Sequence, residues 1–313
     1  MAILVTGAGL IGCHAAKRLV DAGHQVVLLD LSPNREYIRA IAGSERVETV
    51  AADLRDLPAL LGAVKRFDVK VIIHTAGLIG RRVSENPYTG TTNNLLGTLH
   101  VLEAARLLEL HRVVYVSTFG VYDRSKIAAG PITEEAPTGG RNLYTVTKSC
   151  SEQLVGAYGA LYHLDTVILR PAAVFGRGHY AGGSTVGMIM RDLARNILKG
   201  GPLTIDGSVY FANEYVYAKD VALAIEISCQ AKDLRQTTFN VGSGVVTTAS
   251  ELGQIVRELA PGIEVNVVEG KTGDQGHRAP LDLSRSHAEL GYSPRFSLTD
   301  ALRDYLEELR KEK

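Results

Sequence analysis

The sequence carries no net charge, with 34 Lys and Arg against 34 Asp and Glu. That removes the basic field that would recruit nucleic acid or an anionic membrane surface, so the expected partner is a small molecule. Cysteine is scarce. Cys13, Cys150 and Cys229 are odd in number and widely separated, which fits neither a disulfide framework nor metal-ligand spacing, and they read as reduced core residues. The nine histidines form no H-E-x-x-H or comparable cluster, so no metal is expected. No apolar run reaches membrane length, and "MAILV" passes straight into a glycine turn without the parts of a signal peptide. A location off the membrane and in the cytoplasm follows as a default. Internal repeats and low-complexity segments are also missing.

What is present begins in the first thirty residues. "AILVT" is a short apolar strand, and "GAGLIG" follows at once, giving G-x-G-x-x-G over Gly7, Gly9, Leu10, Ile11 and Gly12. Gly7 permits the tight turn, Gly9 lets backbone approach a pyrophosphate, and Gly12 lets the next helix pack against the strand with its N–H groups toward the phosphates. A second strand, "QVVLL", delivers Asp30. An acid at that strand tip suits a ribose diol and repels a 2′-phosphate, so NAD is expected over NADP, although Arg35 stands close enough to oppose the preference.

The alternation continues with strands at "RVETVAAD", "VKVIIHTAG", "HRVVYVST" and "DTVILRP", separated by helices that include residues 87–110 and 142–162. Nearly all-apolar strands between helices predict a doubly wound, Rossmann-like α/β fold, a parallel sheet covered on both faces with its ligand beyond the carboxyl ends of the strands. Asp53, Leu54, His74, Thr75, Ala76, Gly77 and Thr118 all follow strands, and as a set they are expected to line the cofactor groove. From about Phe175 the rhythm lapses, with a helix at 186–198 and a short strand in "GGPLTIDG", then returns in "EYVYAKDVALAIEISCQA" and "TTFNVG". The expected division is an NAD-binding unit of residues 1–174 and 213–244, and a smaller α/β substrate lobe of residues 175–212 and 245–313.

Tyr144 and Lys148 in "YTVTK" lie four residues apart on one helix face. An ammonium beside a phenol favours the phenolate and lowers its pKa, making Tyr144 a general base or acid. Thr118 at the end of a strand is placed to hydrogen-bond the same substrate hydroxyl.

With "TGAGLIG", Asp30, "AADLRD", "HTAG", "NNLLGTLHVLEAAR", "VSTFGVYD", "YTVTK", "LRPAAVFG", "GGPLTIDG" and "EYVYAKDVA", the chain resembles the extended short-chain dehydrogenases/reductases, in the NAD-dependent epimerase/dehydratase family, over nearly its full length. The resemblance implies that Thr118, Tyr144 and Lys148 are the catalytic triad. It implies further that Lys148 also holds the nicotinamide ribose, that Asn94 supports the site from beneath, and that Pro171 and Val174 lie near the nicotinamide. It also implies a homodimer built on helices 87–110 and 142–162.

The departures bear on the substrate. The glycine turn is one residue shorter than the family's usual form. Phe119 and Gly120 stand where the family's dehydratases carry Asp-Glu, which argues against dehydration. Ala173 replaces an Asn that contacts sugar or diphosphate, and Asn213 stands where an Arg binds diphosphate. These losses favour hydride transfer from a secondary alcohol of a small unactivated sugar, sugar acid or hydroxy acid. The alternatives are an epimerase of a sugar or nucleotide sugar and a non-catalytic NAD-binding sensor. Arg177, His179 or Arg278 could restore the missing charge, His277 could meet a hydroxyl, and Arg81 and Arg82 could bind a carboxylate or be solvated loop charges.

Overall fold

A computed structural model describes residues 1–43, 46–127, 130–178, 183–210, 212–268 and 279–311. The chain begins as β1 (Ala2–Thr6), α1 (Leu10–Asp21), β2 (Gln25–Asp30), α2 (Arg35–Ala42), β3 (Val47–Ala51), α3 (Leu57–Arg66) and β4 (Val69–His74). A short α4 (Arg81–Glu85) leads into α5 (Pro87–Leu107), then β5 (Arg112–Val116), α6 (Leu143–Tyr162) and β6 (Thr166–Pro171). Beyond these come β7 (Ala173–Phe175), α7 (Thr185–Lys199), β8 (Leu203–Asp206), β9 (Asn213–Tyr217) and α8 (Ala218–Gln230). The chain closes with β10 (Thr238–Val241), β11 (Val246–Thr247), α9 (Ala249–Leu259), β12 (Val265–Val268) and α10 (Leu298–Arg310).

Seven strands form one sheet in the order β10-β6-β5-β4-β1-β2-β3, parallel throughout. Alternation along each strand divides its side chains between two faces. Ile3, Val5, Val26 and Leu28 join Cys13, Ala16 and Leu19 of α1 in one core. Leu4, Val27, Leu29 and Ile72 join Leu60 of α3, Val101 and Leu102 of α5 and Val155 of α6 in the other. The order reverses between β1 and β4, and such a reversal opens a crevice beyond the strand ends. A third core, around Phe175, Met190, Tyr215, Tyr217 and Tyr305, fills the smaller part of the molecule.

Four details differ from expectation. The strand at β9 pairs with β7 and β11 in a separate three-stranded sheet, while α8, which follows it, packs against α1 of the large sheet. The long helix α5 ends at Leu107 because Glu109 adopts a left-handed φ of 49° before β5. Helix α2, which periodicity did not reveal, is started by Asn34, whose side chain accepts from the Tyr37 amide at 3.0 Å. Cys13 and Cys229 are buried and reduced as expected, but Cys150 is only half-buried, lying off the stripe of α6 that carries Thr147, Lys148 and Ser151 inward.

Candidate functional site

The crevice is a cleft of about 860 Å³ running from the tips of β2 and β3 to the start of α7. At one end the glycine turn is shaped by contacts only glycine permits. Gly7 has φ of 88°, and a Cβ there would come within 2.8 Å of Ala76 backbone; a Cβ on Gly12 would fall on the Gly7 carbonyl oxygen. Around Gly9 the position of a Cβ is open, with nothing within 4 Å, and this residue lines the cleft. The turn is tied to the tip of β2: Gly7 N–H donates to the Leu29 carbonyl at 2.7 Å, and Ala8 N–H donates to Asp30 Oδ2 at 2.9 Å. Such ties fix the path of the turn, with helix α1 starting directly after Gly9. Asp30 Oδ1 accepts from Ser32 N–H at 3.0 Å, and each carboxylate oxygen keeps a further lone pair for a hydroxyl donor.

Asp53 and Leu54 also line this end. The Arg55 guanidinium, 2.6 Å away, holds the Asp53 carboxyl below its usual range. Thr75, Ala76 and Gly77 line the floor, with Thr75 Oγ1 donating to the Thr6 carbonyl at 2.8 Å. His74 lies behind them, buried, with its two ring nitrogens bonded to Thr6 Oγ1 at 2.7 Å and Thr98 Oγ1 at 3.1 Å. Burial, with the Lys148 charge adding to it, pushes this imidazole down to about 3.

At the other end Thr118, Phe119, Tyr144, Pro171, Ala173 and Val174 line the wall. Thr118 acts on the Tyr144 phenol from across the wall, drawing its pKa down, and Gly120 N–H donates to Thr118 Oγ1 at 3.1 Å. Helix α6 presents Tyr144 because Asn142 and Thr145 cap its first turn reciprocally, each side chain accepting from the other's amide. Lys148 comes one turn later and is buried behind the wall. Its ammonium donates to the Val116 carbonyl at 2.8 Å and sits 4.7 Å from the centre of the Tyr115 ring. Burial lowers the Lys148 ammonium to about 8 and raises the Tyr144 phenol to about 12. The expected lowering of the phenol by Lys148 is therefore not seen: loss of water raises the phenol, and only Thr118 acts in the other direction.

The remaining expected residues are distributed unevenly. Asn94 is buried beneath the site, holding the backbone of Leu78 through its amide at 2.8 and 3.0 Å and Thr147 Oγ1 at 3.0 Å. Arg82 lines the cleft; Arg81 does not, being paired outward with Glu85 at 2.7 Å. Asn213 is buried in β9, its side chain accepting from the Glu214 amide at 3.1 Å, and it does not line the cleft. Arg177 lies outside the lining, and its carbonyl is bonded to His14 Nε2 at 3.0 Å. His179, His277 and Arg278 lie outside the described residues, and among the described residues no His, Cys, Asp and Glu cluster could hold a metal.

Sequence reasoning missed Tyr37 of α2, which lines the cleft and donates its hydroxyl to the Gly178 carbonyl at 2.6 Å. It also missed Ser32, Asn93 and the Gly183–Val186 segment at the start of α7. An Asn cap before a short amphipathic stretch was the available signal for Tyr37.

A doubly wound sheet with a glycine turn, an acidic strand tip and a hydroxyl pair in one cleft defines a dinucleotide-dependent oxidoreductase class. Comparison with known proteins narrows this. The model of the NAD dependent epimerase/dehydratase family matches residues 3–242, and the chain belongs to that family. It is 32% identical to the UDP-glucose 4-epimerase of Mycolicibacterium smegmatis over 99% of each chain. Among solved structures, the Thermus thermophilus UDP-glucose 4-epimerase with NAD is 29% identical, with a TM-score of 0.81 over 99% of each chain. The Stenotrophomonas maltophila UDP-glucose-4-epimerase with NAD and formylated UDP-arabinopyranose is 27% identical, with a TM-score of 0.85 over 100% of this chain and 98% of that one. This protein is an NAD-dependent enzyme of the extended short-chain dehydrogenase/reductase type. The open space at Gly9 and the carboxylate at Asp30 fit that cofactor.

Proposed function

We propose that the protein is an NAD-dependent epimerase of a sugar or nucleotide sugar, working through a transient ketone on the substrate. The observation that carries this reading is end-to-end similarity to a UDP-glucose 4-epimerase in a chain whose cleft is lined by both Thr118 and Tyr144. Tyr144 takes the proton of the reacting hydroxyl as its carbon gives up hydride, and returns it to the oxygen as hydride comes back to the opposite face of the ketone. Thr118 orients that hydroxyl, and Lys148, one turn further along α6, would hold the nicotinamide ribose. Gly7, Gly9, Leu10, Ile11, Gly12 and Asp30 at one end, and Pro171 and Val174 at the other, would hold NAD, which would supply the hydride acceptor. In this reading residues 1–174 and 213–244 bind the cofactor, and residues 175–212 and 245–313 shape the substrate side.

A second reading, a dehydrogenase of a small unactivated alcohol, is favoured by one observation: apolar Ala173 lines the wall, and Asn213 is turned into its own strand. One experiment separates the two. Purified protein with NAD is offered free sugars, sugar acids and nucleotide sugars, while near-ultraviolet absorbance and NMR are followed together. A new stereoisomer without net NADH establishes the epimerase; stoichiometric NADH with a ketone product establishes the dehydrogenase and refutes the first reading.

We also propose a homodimer through α5 and α6, on whose surfaces Tyr88, Leu161 and Tyr162 are exposed at 83%, 70% and 50%.

A further inference from the structure

We propose that Arg82 is the anion anchor of the substrate site, binding an oxyanion carried by the substrate itself. The inference rests on the reading of the cleft as the place where a sugar is oxidised.

The geometry separates two adjacent arginines. Helix α4 is fixed from beneath: Val83 is fully buried, and Gly90 of α5 lies against it so closely that a Cβ there would be 2.8 Å from Val83 Cγ1. Upstream, the Asn94 amide holds Leu78 by both its N–H and its carbonyl. Between these two fixed points Arg81 is paired with Glu85, and Arg82 lines the cleft beside Ile79, Gly80 and Asn93. Its position is therefore set by the same Asn94 that supports the hydroxyl pair through Thr147, whose Oγ1 donates to the Tyr144 carbonyl at 2.8 Å.

Charge along the cleft is divided. Among the described residues that line it, the carboxylates are Asp30 and Asp53, both at the β2 and β3 end, and the only cationic side chain is Arg82. An acid end suits the hydroxyls of a ribose, and a guanidinium suits a carboxylate or phosphate, which its planar fork engages through two parallel hydrogen bonds. Ala173 presents only a methyl group to the cleft, and Asn213 is turned to its own strand outside the lining. Arg82 then carries the recognition of charge. The oxyanion has two chemical sources, a carboxylate on the sugar or the diphosphate of a nucleotide sugar.

Four probes separate these sources: glucose, glucuronate, UDP-glucose and UDP-glucuronate, titrated calorimetrically into the NAD-loaded protein, its Arg82→Gln and Arg82→Lys variants, and Arg81→Gln. The expected result is that Arg82→Gln weakens at least one oxyanion-bearing probe by about tenfold or more. Arg82→Lys should recover part of the loss, while NAD binding and Arg81→Gln stay as in the parent. A loss confined to glucuronate and UDP-glucuronate identifies a carboxylate; an equal loss for both UDP compounds identifies the diphosphate. The proposal is overturned if no oxyanion probe binds, if Arg82→Gln binds every probe as the parent does, or if Arg81→Gln loses as much. Stereoisomer formation followed by NMR on the same samples keeps the two readings apart. Turnover of glucuronate, UDP-glucose and UDP-glucuronate that Arg82→Gln leaves unchanged removes the anchor and keeps the epimerase. Arg82-dependent oxyanion binding without turnover of any probe keeps the anchor and removes the epimerase.

Discussion

Tyr144 keeps its proton at neutral pH and needs help to act as a base, because burial places its phenol near 12 and Thr118 alone draws it down. Replacing it by Phe removes the acid–base group and little else. Turnover should fall by on the order of 10²–10⁴-fold while NAD affinity stays within about twofold, measured by product formation and by cofactor titration. His74 makes a different kind of prediction, one of stability. Its folded pKa is pushed from 6.5 to about 3, so as pH falls through that window the unfolded chain takes up a proton that the folded chain refuses. Stability is fully present above about pH 6.5 and is lost progressively toward pH 3. Urea midpoints between about pH 4 and pH 7 should show this slope, and His74→Gln should flatten it. An unchanged slope would place the acid sensitivity elsewhere. Neither group's pKa was legible in the sequence. The i, i+4 spacing of Tyr144 and Lys148 put both on one helix face, but the ammonium's contact with the Val116 carbonyl depends on how α6 meets β5.

At the level of elements, the glycine turn separates two jobs that the motif writes identically. Gly12→Ala forces a methyl onto the Gly7 carbonyl, and about 1–3 kcal/mol or more of stability should disappear in denaturant melts. Gly9→Ala adds a methyl into open space. Its melting should be nearly unchanged, with the loss confined to NAD affinity; a fall in stability equal to that of Gly12→Ala would contradict the division. The strands, the order-reversing crevice and the long helices were legible because apolar runs and capping residues are local signals. Helix α2 was not, being eight residues long, and neither was the pairing of β9 with β7, since partner choice between sheets leaves no trace in periodicity. The same limit hid Tyr37, whose contact with Gly178 spans 141 positions of sequence.

For the whole molecule, exposed Tyr88, Leu161 and Tyr162 lead to an expected dimer that Leu161→Glu should convert to monomer, as read by light scattering with the fold preserved in circular dichroism. If the variant remains dimeric, the partner surface lies elsewhere. A last consequence comes from the path of the chain between sheets. After β6 it leaves the seven-stranded sheet for β7 and β9, returns as β10 on the outer edge beside β6, and leaves again as β11. Glu214 of β9 accepts from the Gly244 and Leu281 amides at 2.8 and 2.7 Å, tying the outgoing and returning passages together. A cut after residue 174 would therefore strip the sheet of its terminal strand and leave the β6 edge bare, so neither half is a fragment that survives alone. The molecule should melt in one calorimetric transition, and proteases that nick it should release no stable core.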